Sequence, residues 1–180
     1  MNLFRNIILI IVSPRNGWDD VRSSAVPSGV LLSKVFYPML AVLAMTAFTQ
    51  LLYNPLATLS GTLVHAIALF ASYFITFYVT DYLLGCLYPS LVALSAQQER
   101  LNDYLIYNMV FLVGLHIIAN LLPSDFVAVH FLAIYLPLIT YTGTTYLGLA
   151  PEKRIGFTII AALMMLFIPI FLQYLLDMLV

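Results

Sequence analysis

Long apolar runs separated by short polar breaks dominate this 180-residue chain. Five runs approach or exceed the roughly 20 residues that a helix needs to cross a bilayer: residues 30–52, 62–84, 104–122, 126–147 and 155–176. The breaks between them carry turn chemistry, at Asn54-Pro55, residues 97–100, Pro123-Ser124-Asp125 and Ala150-Pro151-Glu152. The pattern predicts an all-α, polytopic membrane helix bundle with about five transmembrane helices.

The N-terminal region breaks this pattern, because its apolar stretch is too short to span. We predict that residues 1–29 form an interfacial N-terminal segment containing a helix over residues 2–12, and that residues 30–180 form the five-helix transmembrane domain. Trp18, flanked by Arg15 and Arg22, has the chemistry of an anchor resting on an anionic leaflet. The alternative is that this segment is a partner-binding surface.

Finer features within the runs predict packing. Residues 85–96 either prolong the second helix or lie along the interface, and Pro89 favours a break. Small residues recur at a spacing of four, which lets helix backbones approach within the chain or between copies. These rows are Ala68, Ser72 and Thr76 in the second helix, and Thr140, Thr144 and Gly148 in the fourth.

The seven lysine and arginine residues predict an orientation. With five crossings, the N-terminal segment and the second and fourth loops share one side of the membrane. All seven basic residues fall in those three regions: Arg5, Arg15, Arg22, Lys34, Arg100, Lys153 and Arg154. Because basic loops stay in the cytoplasm, the N-terminus is predicted to be cytoplasmic and the C-terminus to lie outside.

Composition supports a membrane protein and excludes several other classes. Hydrophobic residues make up 63% of the chain and charged residues 8%, and the mean hydropathy is +1.01, whereas soluble domains are about one quarter charged. A net charge of −1 offers no basic field for nucleic acid. Cys86 is the single cysteine, which rules out an internal disulfide and a two-cysteine metal motif.

Polar residues at membrane depth are the candidates for chemistry, because they are costly there. In the predicted topology, His65, His116 and His130 all lie within about 5–10 Å of the outer boundary. Asn120 lies one turn from His116 on the same helix face. One hypothesis is that these residues converge on an outward-facing proton relay or metal site. The alternative is that each histidine bonds a neighbouring backbone group or lies among the headgroups.

Asp81 lies at the other end of the second helix, where it is predicted to pair with Lys34 or to act as a helix-end carboxylate rather than as a catalytic acid. The sequence contains no H-E-x-x-H, G-x-S-x-G, G-x-G-x-x-G or P-loop pattern. The sequence therefore predicts no enzyme and no cofactor.

Several short motifs resemble the Yip family, the Rab/Ypt-GTPase-interacting membrane proteins. They are residues 13–18 with their proline and tryptophan before the first span, Tyr107, Leu121-Leu122-Pro123, the tyrosine-rich residues 135–146, Leu147-Gly148-Leu149, Pro151 and Lys153. The chain lacks the long cytosolic N-terminal region of eukaryotic members and the proline that often follows the third-helix tyrosine. The resemblance is therefore closest to the bacterial branch. It implies five spans, a bacterial inner membrane location and no catalytic residues.

Three functions remain open at this level. The first is a non-enzymatic membrane scaffold, trafficking-related protein or accessory subunit, whose partners are the lipid bilayer and another membrane protein or a second copy. The second is a small transporter or channel with a polar outer-leaflet site and an unknown small-molecule or ion substrate. The third is an intramembrane metalloenzyme that uses the histidines.

Overall fold

The computed structural model of the protein describes residues 3–24, 26–122 and 131–178. Within these residues the fold is all-α, without strands, and contains seven helices. These are α1 Leu3–Val12, α2 Pro14–Ser24, α3 Ser28–Tyr53, α4 Leu59–Leu87, α5 Ser95–Leu121, α6 Leu132–Gly143 and α7 Pro151–Asp177. The predicted all-α class is confirmed, and α1 confirms a helix where one was predicted over residues 2–12.

Four of the seven helices are long and apolar enough to cross a membrane, whereas the sequence predicted five. They are α3, α4, α5 and α7. The fourth predicted span is represented by α6, whose 12 residues are about 18 Å long, against a hydrocarbon core of roughly 30 Å. Residues 123–130, which would begin that span, lie outside the described residues. The structure therefore shows a multi-pass chain with four candidate spans.

One prediction was wrong at the start of α5. The polar residues 97–100 were expected to separate two helices, yet α5 begins at Ser95 and runs through them. Gln, Glu and Arg are good helix formers, so a polar stretch of these residues can extend a spanning helix beyond the apolar core. The break lies earlier, where α4 ends at Leu87 and a short 3₁₀ turn covers Pro89–Leu91.

Prolines lie beside irregular turns in α3 and α6, but not in α7. Pro38 has no N–H to donate, and a π-turn at Leu32–Phe36 precedes it in α3. Pro137 follows the 3₁₀ turn Leu132–Tyr135 that opens α6. Pro169 lies inside α7, where the helix continues past it.

α5 is the central helix of the bundle. It packs against α1, α3, α4 and α6, and from Tyr104 to Val113 its residues are buried on all sides. α7 packs along α4 and α6. The row Ala68, Ser72 and Thr76 on α4 is buried inside the chain, as intramolecular packing predicts, and Ser72 faces α7 because its hydroxyl accepts from Gln173.

All seven basic residues lie at one end of the bundle, here called the basic end. This end comprises α1, α2, the starts of α3, α5 and α7, and the last turns of α4 and α6. Hydrogen bonds join these parts: Arg22 donates to the carbonyl of Thr145 at 2.7 Å, and Arg154 donates to the carbonyl of Leu149 at 3.0 Å. The grouping agrees with the predicted charge partition, although which end faces the cytoplasm stays a prediction.

α1 and α2 form an antiparallel pair that folds onto the basic end. Their backbones approach most closely at Gly17, where an added Cβ would lie 2.5 Å from the Cα of Ile10. Only glycine fits such an approach without a backbone shift. Arg5 and Asp20 form an ion pair of 3.2 Å across the same two helices.

Candidate functional site

The predicted histidine layer is only partly visible. His116 on α5 contacts Tyr73 on α4, with 3.2 Å between the Tyr73 hydroxyl and the His116 Nδ1 atom. The two rings meet edge to face with centroids 5.9 Å apart. His65 lies about two turns before Tyr73 on α4 and is half-buried. His130 lies outside the described residues. Within the described ranges, no group of three histidine, cysteine, aspartate or glutamate residues could hold a metal ion.

A cavity of about 360 Å³ adjoins the Tyr73–His116 contact. Among the described residues it is lined by Tyr73, Leu112, Leu115, His116, Ala119, Ala133, Met165, Leu166, Ile170 and Gln173. Four helices supply these residues: α4, α5, α6 and α7. We call this space the His116 cavity. Most of its lining residues are apolar, and the polar side chains among them are Tyr73, His116 and Gln173.

Asn120 has a structural position at the same end of the bundle. Its side-chain Nδ2 atom donates to the Thr46 hydroxyl at 3.1 Å, and its backbone carbonyl accepts from the Thr49 hydroxyl at 2.6 Å. These two bonds fasten the ends of α3 and α5 together. Asn120 also lines a second, more polar cavity of about 470 Å³ beside Thr49, Gln50, Tyr53 and Asn54. Ala119 lines both cavities, so they are neighbours.

The predicted pair between Asp81 and Lys34 is not formed. The Asp81 carboxylate instead accepts from the Gln98 side-chain amide at 2.9 Å. Gln98 is available because α5 begins before it rather than after it. Asp81 therefore joins the end of α4 to the start of α5 at the basic end, far along α4 from the histidine layer.

Trp18 differs most from its prediction as an interface anchor. Its side chain is 1% exposed and lies inside the protein rather than among headgroups. The indole stacks between Tyr104 and Tyr146, with centroid distances of 5.6 and 5.4 Å, and meets the edge of Tyr107 at 5.9 Å. We call these four residues the Trp18 cluster. The indole N–H donates to the Ile139 carbonyl at 3.1 Å, so the one polar group of the buried ring has a hydrogen-bond partner.

The arginines beside Trp18 remain at the surface. Arg15 is exposed, and Arg22 is exposed while it donates to the Thr145 carbonyl. The predicted anchoring pair is thus divided. Arg15 presents its charge outward, whereas Arg22 fastens α2 to the turn after α6.

Asp103 is a buried group that the sequence predictions missed. It is 7% exposed, and its carboxylate accepts from the Tyr146 hydroxyl at 2.9 Å. Its other oxygen has no hydrogen-bond partner among the described residues, and neither has the side-chain oxygen of Asn108. In the sequence, Asp103 closely follows the polar residues 97–100, which were predicted to form a break between helices. Its buried position on α5 was therefore not predicted.

Tyr146 connects this carboxylate with the Trp18 cluster. Burial raises the pKa of the Tyr146 hydroxyl, and the neighbouring Asp103 carboxylate raises it further. The hydroxyl therefore stays protonated and donates. Tyr104 donates in turn to the Thr140 carbonyl at 3.2 Å, so two tyrosines of one stack bind two different elements.

Comparison of the chain with protein-family models, curated proteins and solved structures gives no match. The resemblance to the Yip family consequently stays a prediction from the motifs themselves. The fold and the geometry of its polar groups are therefore the basis for inferring a function.

Proposed function

We propose that this chain is a non-enzymatic membrane scaffold or accessory subunit that binds another membrane protein through the exposed face of α2 at its basic end. The docking of α2 by Trp18 carries the proposal. The buried Trp18 side chain holds α2 in a fixed position on the bundle, with the polar face of the helix outward. A surface that is already ordered loses less conformational entropy on binding than a mobile segment does.

The exposed side chains of α2 define the surface. Arg15, Asn16 and Asp19 point away from the bundle, whereas Trp18 and Val21 on the opposite face are buried. A charged, rigid face beside the bilayer suits the cytosolic loop of a membrane protein, because charge complementarity gives such contacts their specificity. The resemblance to the Yip family implies the same class of function.

Co-purification from native membranes tests this proposal. We expect a tagged chain, extracted in mild detergent, to recover a partner at a constant ratio. Arg15→Glu should abolish that recovery, because it reverses a charge on the exposed face. Lys153→Glu is the matched control, since Lys153 is an exposed lysine at the start of α7 and lies off the proposed face. Repeated recovery of the wild-type chain alone would contradict the proposal.

The proposed location is a bacterial inner membrane with the basic end in the cytoplasm. Cys86 is the sole cysteine, so Cys86→Ser gives a cysteine-free background. In that background we expect Leu56→Cys, at an exposed position between α3 and α4, to react in intact spheroplasts with a maleimide that cannot cross membranes. Arg15→Cys should react only after lysis. The reverse pattern would show the opposite orientation.

A small transporter or channel is the second candidate, favoured by two neighbouring cavities, one lined by His116 and the other by Asn120. Proteoliposomes containing a trapped pH dye would report proton flux driven by a potential. Flux abolished by His116→Ala and kept in Tyr82→Phe, an exposed residue of α4, would favour this candidate over the scaffold. Flux equal to that of empty liposomes would exclude proton conduction.

A further inference from the structure

The His116 cavity has the properties of a ligand site. Its volume of about 360 Å³ lies within the range of about 300–1,000 Å³ that small-molecule pockets occupy. Such pockets are mostly apolar with a few convergent polar groups. This description fits the wall of leucine, isoleucine, methionine and alanine side chains that surrounds Tyr73, His116 and Gln173.

We propose that the His116 cavity binds an uncharged, membrane-soluble molecule that has an apolar body and a hydroxyl or carbonyl head group. Its described lining contains no lysine, arginine, aspartate or glutamate. Apart from His116, no described lining side chain can carry a charge that would balance a charged head group, and burying a charge without a partner is costly. An uncharged head group needs only hydrogen bonds.

The polar side chains can supply those bonds. The Gln173 amide uses its Nε2 atom to donate to the Ser72 hydroxyl, at 3.3 Å. Each primary amide has two N–H donors and a carbonyl acceptor, so Gln173 keeps hydrogen-bonding capacity beyond this contact. Tyr73 and His116 form the adjoining polar corner, 3.2 Å apart. A hydroxyl or a carbonyl can be received by these groups.

The cavity also reaches the surface that faces lipid. Ile170, one of its lining residues, is 61% exposed on α7. Towards the basic end, Met109 on α5 and Met165 on α7 are fully buried. The exposed Ile170 side chain therefore marks the lipid side of the cavity, which suits a bound molecule that enters from the bilayer.

Photoaffinity labelling in lipid nanodiscs tests the proposal directly. The probe is a dodecanol that carries a diazirine on its chain, and labelled residues are mapped by mass spectrometry. We expect labels on α5 and α7 at residues 112–119 and 165–173. Unlabelled 1-dodecanol should suppress them more strongly than dodecanoate, which has the same chain length but is charged, or dodecane, which has no head group.

Two variants probe the site by different means. Ala119→Phe fills the cavity and should remove the competable label, whereas Ala41→Phe, which adds the same ring at an exposed position on α3, should not. Gln173→Leu keeps the volume while removing hydrogen bonds and should weaken competition by dodecanol about fivefold. Because Trp18 is the single tryptophan and lies in the separate Trp18 cluster, its fluorescence reports whether each variant is folded.

The outcomes separate clearly. Label confined to exposed helix faces, or label that 1-dodecanol fails to suppress, would overturn the proposal. Equal suppression by dodecanoate would overturn the requirement for an uncharged head group. Unchanged competition by 1-dodecanol in folded Gln173→Leu would overturn the role of Gln173 in binding the head group. Ligand binding here is separate from the scaffold proposal, since loss of the partner in Arg15→Glu and loss of the label in Ala119→Phe are independent results.

Discussion

The two ends of the bundle use polar and aromatic residues in opposite ways. At the basic end, Trp18 is stacked between two tyrosines and its N–H and their hydroxyls are all bonded within the protein. At the other end, Tyr73 and His116 adjoin a cavity of about 360 Å³. Close packing binds the N-terminal helices to the bundle at one end, whereas looser packing leaves a cavity at the other.

The difference teaches where stability and function are expected to reside. Helices in lipid gain little from hydrophobic burial and are held by close packing and hydrogen bonds. The Trp18 cluster supplies both, so changes there should cost the most stability. Changes around the His116 cavity should cost less, because side chains there already border empty space.

The largest effect is expected for Trp18→Ala. Removing a fully buried indole that touches three tyrosine rings should lower the free energy of unfolding by about 3–5 kcal/mol. Unfolding by sodium dodecyl sulfate in mixed micelles, followed by circular dichroism, measures the change. Phe167→Ala removes an exposed, lipid-facing ring from α7 and should cost far less. Equal losses in both variants would remove the distinction between the two ends.

Gly143→Ala should have the next largest effect. An added Cβ at Gly143 would lie 2.7 Å from the Tyr104 ring and 2.8 Å from the Trp18 ring. Overpacking of this kind costs about 1–3 kcal/mol, and the Trp18 emission should shift as the stack opens. In Gly114→Ala the nearest atom would be Met39 Cε at 3.8 Å, so that variant should be neutral or slightly stabilised in the same unfolding assay. A neutral Gly143→Ala would contradict the described stack.

Tyr146→Phe should cost somewhat less, because the ring remains and only the hydroxyl is lost. The buried Asp103 carboxylate would lose the donor on one oxygen, and leaving a buried acceptor unsatisfied costs about 1–3 kcal/mol. The matched control is Tyr141→Phe, whose exposed ring makes the deletion of a hydroxyl nearly silent. Both are measured by the same mixed-micelle unfolding, and parity between them would argue against the Asp103 bond.

The smallest effect is expected for Tyr73→Phe beside the cavity. A typical hydrogen bond contributes about 0.5–1.5 kcal/mol net, and the value here should be at the lower limit because His116 adjoins open space. Equilibrium unfolding of Tyr73→Phe and Tyr146→Phe under identical conditions gives the comparison directly. A larger loss for Tyr73→Phe would reverse the proposed roles of the two ends.

The prediction for Trp18 was wrong because tryptophan suits two different environments. A tryptophan between arginines is typical of a headgroup anchor, and the same indole fits a buried aromatic stack. Its partners Tyr104 and Tyr146 are distant in sequence, so no local pattern could choose between the two. Asp81 shows the same limit, because its partner Gln98 depended on where α5 begins.

For the residues around the cavity, the sequence predicted only their depth along the helices. His116 was correctly expected near the end of its helix that lies opposite the basic end. Its contact with Tyr73 and the involvement of Gln173 required knowledge of how α4, α5 and α7 are rotated about their axes. Apolar sequences carry little rotational information, since nearly every face of such a helix is hydrophobic.

The sequence by itself determined the all-α membrane class, four of the five predicted long helices and the gathering of the basic residues at one end. Lipid imposes these features through local rules: an apolar run long enough to span must be helical, because its backbone groups have no water to bond. Only the tertiary structure decided that Trp18 is buried, that Asp103 points inward and that a cavity lies beside His116. Those outcomes depend on contacts between helices that are distant in sequence, and no local pattern along the chain encodes such contacts.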